Sequence, residues 1–304
     1  MQTFLPQVRS DSLPDAIYRT IAFFDVLDFC LTLDEISDRL LGFEATTADI
    51  SAALGSDKRV ECTRGFYHLT GRIELVNRRG QLLENHKSLV ARALHLQRLF
   101  EFIPFLEGVY LCNTLAMTQS NPGSDIDVLV VVKKGRVFSA RLFLVFVTHI
   151  LRLRRHGRRI SGRLCLSFFI DDEHLDFSPL LLQPYDPYFA YWVKLLTPLY
   201  LRRDISFPSL NSWMRGYFSH SSNFPLVEKS SGNAVSRFFE FLFSGFLGNL
   251  AEKVFGQWQI SRARRKYDIL GKPEGVFLSS YCLKFHDRDM RKIYRDLFEA
   301  LIRS

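Results

Sequence analysis

Two carboxylates, Asp125 and Asp127, stand at the mouth of the apolar run Val128-Leu129-Val130-Val131-Val132. Its β-branched composition predicts a buried strand, and residues two apart on a strand project to one side. The acids are therefore expected on one face, with Ile126, Val128, Val130 and Val132 entering the core. Carboxylates held this close repel, and each is harder to ionise unless a cation lies between them. Mg²⁺ takes oxygen ligands and commonly completes its shell with substrate phosphates, so the pair points to one or two Mg²⁺ ions and chemistry on a nucleoside triphosphate. A second triplet, Asp287-Arg288-Asp289, lies in a stretch with helical spacing and lacks the strand.

What precedes the acids strengthens them. The segment Gly108 to Met117 reads as a short strand, a small polar corner at Asn113-Thr114 and the first turn of a helix. Thr114 brings a hydroxyl for a phosphate oxygen, Asn tolerates left-handed backbone, and free N–H groups at a helix start attract anions. The order strand, corner, helix, loop, acid-bearing strand resembles the nucleotidyltransferase superfamily that includes DNA polymerase β, the CCA-adding enzymes and the small antibiotic nucleotidyltransferases. The resemblance covers residues 106–185. Asn113-Thr114 stand where that superfamily has Gly-Ser, and Ser124-Asp125-Ile126-Asp127 match its acid motif. It implies Asp125 and Asp127 as catalytic metal ligands, Asn113, Thr114 and Ser124 as nucleotide contacts, and transfer of a nucleoside monophosphate to a hydroxyl acceptor.

The superfamily normally carries a third carboxylate on a later strand. The best candidate here, Arg163 to Ile170, alternates Leu164, Leu166, Phe168 and Ile170 against Cys165, Ser167 and Phe169. The second set is expected to line the cleft and holds no acid. Ser167 falls where the missing ligand is sought, while Asp171 and Asp172 come at the strand's end. Three outcomes stay open: Asp171 swings in, two acids suffice with substrate phosphates, or the site binds nucleotide without turning it over.

These residues need a scaffold, and 304 residues with 47% hydrophobic content can bury more than one core. The expected class is α+β: a winged helix-turn-helix-like domain at 1–80, a connecting helix at 81–105, a mixed-sheet nucleotidyltransferase core at 106–185 and a helical domain at 186–304. In the first, Asp15 to Phe29 reads as a helix, Thr32-Leu33-Asp34-Glu35 as a capping box opening a second, and Thr46 or Thr47 as the start of a third. Val60 to Thr63 and Phe66 to Leu69 flank Arg64-Gly65 as a hairpin. Three helices and a hairpin resemble a winged helix, but Ala48 to Leu54 offers an acid and no base-reading side chain. That favours packing or RNA steering over duplex readout, with Lys58, Arg59 and Arg64 as phosphate contacts. The whole arrangement is similar to a bacterial group of nucleotidyltransferases with an N-terminal winged-helix segment.

Charge adds a partner. The net charge is +8 and the isoelectric point about 9.3, which favours a polyanion. Arg136 to Arg155 reads as a crossover helix, and the chain at its end is densely basic, with Arg152, Arg154, Arg155, His156, Arg158, Arg159 and then Arg163. Helix-end cations complement the dipole, and this many also suit an RNA acceptor. Arg141 on that helix is read as reaching the triphosphate or making a salt bridge.

Other classes fall away. Five scattered cysteines show no paired spacing and read as reduced thiols of a cytoplasmic protein. Met1 to Asp11 lacks the apolar core of a leader. Phe138 to Leu151 and Phe238 to Leu250 are shorter than the ~20 residues of a membrane span and are expected as buried helices, with an interfacial or dimer patch as the alternative for the second. Phosphate-loop, dinucleotide, nucleophile-elbow and zinc-protease motifs are absent from the sequence. Beside the enzyme reading stand a degraded core kept as a nucleotide sensor and a winged-helix transcription factor.

Overall fold

Ser12 accepts the amide proton of Asp15 at the start of α1 (Leu13–Val26), and reciprocal bonds between Thr32 and Glu35 and between Thr46 and Asp49 open α2 (Leu33–Arg39) and α3 (Thr47–Leu54). The second and third helices begin where the sequence places them, while the first, read as Asp15 to Phe29, starts two residues earlier at the Ser12 cap and ends at Val26. Strands β1 (Val60–Thr63) and β2 (Phe66–Leu69) pair antiparallel around Arg64 and Gly65, both in the left-handed region that a two-residue hairpin loop requires. A single 27-residue helix, α4 (Glu74–Phe100), leads to the main sheet. The computed structural model describes residues 5–219, 227–271, 275–286 and 288–303. Asp287 of the second acid triplet, His220 and the first four residues of the segment read for a leader lie outside the described residues.

The remaining elements are β3 (Leu106–Leu111), α5 (Asn113–Ala116), β4 (Ile126–Val132), α6 (Val137–Ile150), β5 (Leu164–Asp171), α7 (Pro187–Lys194), β6 (Thr197–Leu201), α8 (Phe207–Leu210), α9 (Ala234–Leu242), α10 (Gly245–Ile269), β7 (Val276–Leu278), β8 (Cys282–Phe285) and α11 (Arg291–Arg303). Six strands form a mixed sheet in the order β6-β3-β4-β5-β8-β7. Only β4 and β5 run parallel, joined by the crossover helix α6. The molecule is thus mixed α+β.

Each sheet face has its own apolar core. Val109, Ile126, Val128 and Val130 pack with Leu89 and Ala93 of α4 and with Phe138 and Leu144 of α6. Tyr110, Leu129, Val131 and Phe168 on the other face pack with Phe189 and Trp192 of α7, and this cluster continues into Phe23, Phe24 and Ile36 of the N-terminal helices. Phe23 stacks on Tyr191 at 4.8 Å, and the Tyr191 hydroxyl donates to the Arg39 carbonyl. The segment 1–80 therefore shares a continuous core with the sheet.

Two expectations are corrected. The segment 186–304, read as wholly helical, supplies β6, β7 and β8, half of the six-stranded sheet. Strands of three to five residues are too short to display a period of two, and distant pairing defines them. Phe238 to Leu250 straddles α9 and α10 and leaves Phe241 79% and Phe246 80% exposed, while Phe239 and Phe243 alone of its phenylalanines meet Phe143. Among the described residues no helix is long and apolar enough to cross a membrane.

Candidate functional site

Asp125 leads into β4 and Asp127 is its second residue, so strand alternation sends Ile126 and Val128 into the α6 core and both acids to the opposite face. Across the parallel pair, Asp127 lies in register with Cys165 of β5. One ligand atom from each of Asp125, Asp127 and Cys165 falls within 4.8 Å of the others. The position opposite the acids, where a third carboxylate was sought, is therefore a thiol.

Local irregularity of β5 explains why Ser167 is not there. Between the pairs Asp127–Cys165 and Leu129–Phe168, one residue of β4 (Val128) opposes two of β5 (Leu166 and Ser167), which is a bulge. Leu164 and Leu166 join the α6 core, but past the bulge Phe168 and Ile170 join the opposite core and Phe169 the first. The expected line Cys165, Ser167, Phe169 is broken. Asp171 pairs with Val132 at the other end of β4, about 20 Å along the strand from Cys165 at the usual rise per residue. It is buried there against His174 Nδ1 at 2.6 Å and the backbone amide of His174. Asp171 is too distant and too engaged to complete the acid pair.

The Asn113-Thr114 corner meets Asp127 from the neighbouring strand. The Cys112 amide donates to the Asp127 carbonyl at 3.1 Å, and Asn113 takes φ +53°, the left-handed conformation Asn tolerates best after glycine. Its side chain is held from both ends: Oδ1 accepts from Trp192 Nε1 at 2.7 Å, and Nδ2 lies 3.4 Å from His286 Nε2. Asn113, Thr114 and Asp127 share the rim of a cavity of about 240 Å³ with Tyr188 and Trp192 of α7, Lys284 and His286 at the end of β8, and Arg288 and Tyr294 beyond.

Electrostatics single out Asp127. Burial, then the neighbouring Asp125, push its pKa up to about 6, against partial relief from Asn113 and the Cys165 thiol. Asp125 is paired with Arg155 at 2.8 Å. Burial and the two acids drive the Cys165 thiol upward, so it stays protonated. Burial, then Arg291, draw Lys284 down to about 8. The site thus has one acid paired with an arginine, one acid short of counter-charge, and a lysine across the cavity.

The other residues singled out in the sequence are dispersed. The Ser124 hydroxyl accepts from the Asn121 amide and its carbonyl from Gly162, so it braces the loop before β4. Arg141 lies away from the Asn113-Thr114 cavity; it donates to Gln259 Oε1 at 2.6 Å, stacks over Phe285, and lines a second cavity of about 750 Å³ with Arg154 and Arg155. Arg152, Arg158 and Arg159 are exposed outside it. Arg59 of the hairpin is occupied by Asp57 and by the Tyr18 ring. Cys165, Trp192, Lys284 and Tyr294 were not read as site residues. Of these, only Cys165 carried a signal, its place on the cleft-facing set. The chain matches no protein-family model, no curated protein and no solved structure.

Proposed function

We propose that the chain is a metal-dependent nucleotidyltransferase with a core of the DNA polymerase β type, moving a nucleoside monophosphate from a nucleoside triphosphate to a hydroxyl acceptor. One observation carries the reading: Asp127, with Asp125 beside it, shares the rim of one cavity with a left-handed Asn113 and with Thr114. Asp125 and Asp127 fit Mg²⁺, being hard oxygen donors with one carboxylate short of counter-charge. A protonated thiol at Cys165 is a poor third ligand, so water and phosphate oxygens would complete the shell. Bound there, Mg²⁺ would neutralise charge developing on the phosphates. Trp192 fixes the Asn113 amide at the cavity wall, Thr114 offers its hydroxyl, and Lys284 and Arg288 bring positive charge for the β- and γ-phosphates. Tyr188 and Trp192 form the aromatic wall for the nucleoside. The N-terminal helices and hairpin are read as a winged-helix packing module, and five free thiols suit a reducing, cytoplasmic setting.

Cys165 in place of a carboxylate favours a second reading, a nucleotide sensor that binds without turnover. Calorimetric titration of ATP with and without Mg²⁺, followed by pyrophosphate release over a panel of acceptors, tests both. Metal-dependent binding that Asp127→Asn abolishes supports the shared site, and pyrophosphate release selects the enzyme. ATP affinity indifferent to Mg²⁺ and to Asp127→Asn would defeat both.

A further inference from the structure

The second cavity lies between α6, α10 and the β5 residues Leu164 to Ser167, which β8 leaves unpaired because it joins β5 only from Phe168 onward. Arg141, Arg154, Arg155, Arg262 and Lys266 line it, and among the described residues no carboxylate does. Elsewhere this chain supplies acids to its enclosed arginines: Arg79 meets Glu35, Arg202 meets Glu240, and Arg291 meets Asp186 and Asp289. Among the described cations of the cleft, Arg155 alone has such a partner, Asp125. Arg141 has the neutral Gln259 and the faces of Phe285 and Phe169, and its Nε is buried with no hydrogen-bond partner. Arg154, Arg262 and Lys266 have no carboxylate partner among the described residues. Ser167 Oγ, also on the cleft wall, is buried beside the Cys165 thiol. Burial, and for Arg141 the neighbouring Arg154, lowers the pKa of Arg141 and Arg154, and the negative charge of a ligand would offset that cost.

That ligand carries several negative charges, since the cations are spread around a concavity of about 750 Å³. Trp258, 53% exposed, adds an aromatic face to the same wall. Cations along a groove with an available ring are the recognition chemistry of single-stranded nucleic acid. A planar anionic membrane is less suited, because these charges point into a recess. Arg155 links the cleft to the acid pair: it lines the cleft and holds Asp125 at 2.8 Å.

We propose that this cleft binds the end of a single-stranded RNA and presents its terminal hydroxyl to the acid pair as the acceptor. Binding stands on the cleft alone; the acceptor role rests on the nucleotidyl-transfer reading. In that transfer the hydroxyl oxygen bonds to the α-phosphorus of the triphosphate. The bond from that phosphorus to the pyrophosphate oxygen breaks with its electron pair on pyrophosphate, and the hydroxyl proton passes to water.

The test is fluorescence anisotropy of a short 5′-labelled oligoadenylate with the full chain, across a salt series. Arg262→Glu, at an exposed position, and Arg154→Glu should each weaken binding about tenfold and flatten the salt dependence. Trp258→Ala should weaken it at all salt concentrations, and Arg154→Lys should restore most of what Arg154→Glu loses. Mg²⁺-dependent ATP affinity should survive Arg262→Glu, and oligoadenylate binding should survive Asp127→Asn. Oligoadenylate affinity unmoved by both charge reversals overturns the proposal. So does capture of the protein by phosphatidylserine vesicles that oligoadenylate does not compete away. Cleft-dependent oligoadenylate binding beside ATP affinity indifferent to Asp127→Asn would sink the nucleotidyl-transfer reading and leave the cleft standing.

Discussion

Cys165 faces Asp127 directly across the parallel β4–β5 pair, with its sulfur within 4.8 Å of a carboxylate oxygen on both Asp127 and Asp125. A small, protonated side chain there leaves the two acids without a third charge. Cys165→Asp is expected to add one, destabilising the metal-free protein by about 1–3 kcal/mol through like-charge repulsion and burial. Mg²⁺ should then restore more stability in the variant than in the parent, by mass action on a stronger site. Thermal denaturation over an Mg²⁺ titration reads this out; equal responses of the two proteins would mean the three positions do not form a cation site.

Trp192 and Asn113 form the one indole bond to the corner, at 2.7 Å. Trp192→Phe keeps the ring and deletes the donor, so the stability loss should be about 1 kcal/mol. The Asn113 amide is then free to turn, and ATP affinity should fall several-fold at that small structural cost. Paired denaturation and calorimetry give the two numbers, and unchanged affinity would remove Asn113 from the nucleotide site.

Lys284 sets a pH dependence. Its folded pKa is lowered to about 8 from an ordinary 10.5, chiefly by burial. Below the folded value both states are protonated and the fold carries the cost of an enclosed charge. Between the two values the unfolded chain binds more protons, so stability rises with pH across that window and levels off above it. The full rise is about 3 kcal/mol as a ceiling. Urea denaturation of the parent and Lys284→Met on either side of the window isolates the contribution: the parent should gain relative to the variant as pH increases.

Glu252 of α10 caps α6 from outside, accepting the amide protons of Phe138 at 2.7 Å and Ser139 at 2.9 Å. A buried carboxylate on a helix N-terminus satisfies two donors that the helix leaves open. A Cβ on Gly256, one turn further along α10, would lie 2.8 Å from the Phe138 ring, so glycine is what lets the helices close. Glu252→Ala should cost about 2–3 kcal/mol and Glu252→Gln about half as much. Because α6 and α10 are two walls of the basic cleft, oligoadenylate binding should weaken in parallel with the loss in melting temperature.

The local signals in the sequence were sufficient for some of this. A capping box placed the second helix, Arg64-Gly65 placed the hairpin, and the period of two in Asp125 to Val132 set both acids on one face. Each depends on neighbours within a turn or a strand, where propensity and steric preference act. What stands opposite the acids was a matter of register: a one-residue bulge in β5 brought Cys165 to Asp127 and moved Ser167 aside. The three strands from 186–304, the Trp192 bond to Asn113 and the Gln259 partner of Arg141 were likewise decided by tertiary structure. Pairing energies between residues far apart in sequence exist only once the chain has closed on itself, so no window of sequence contains them.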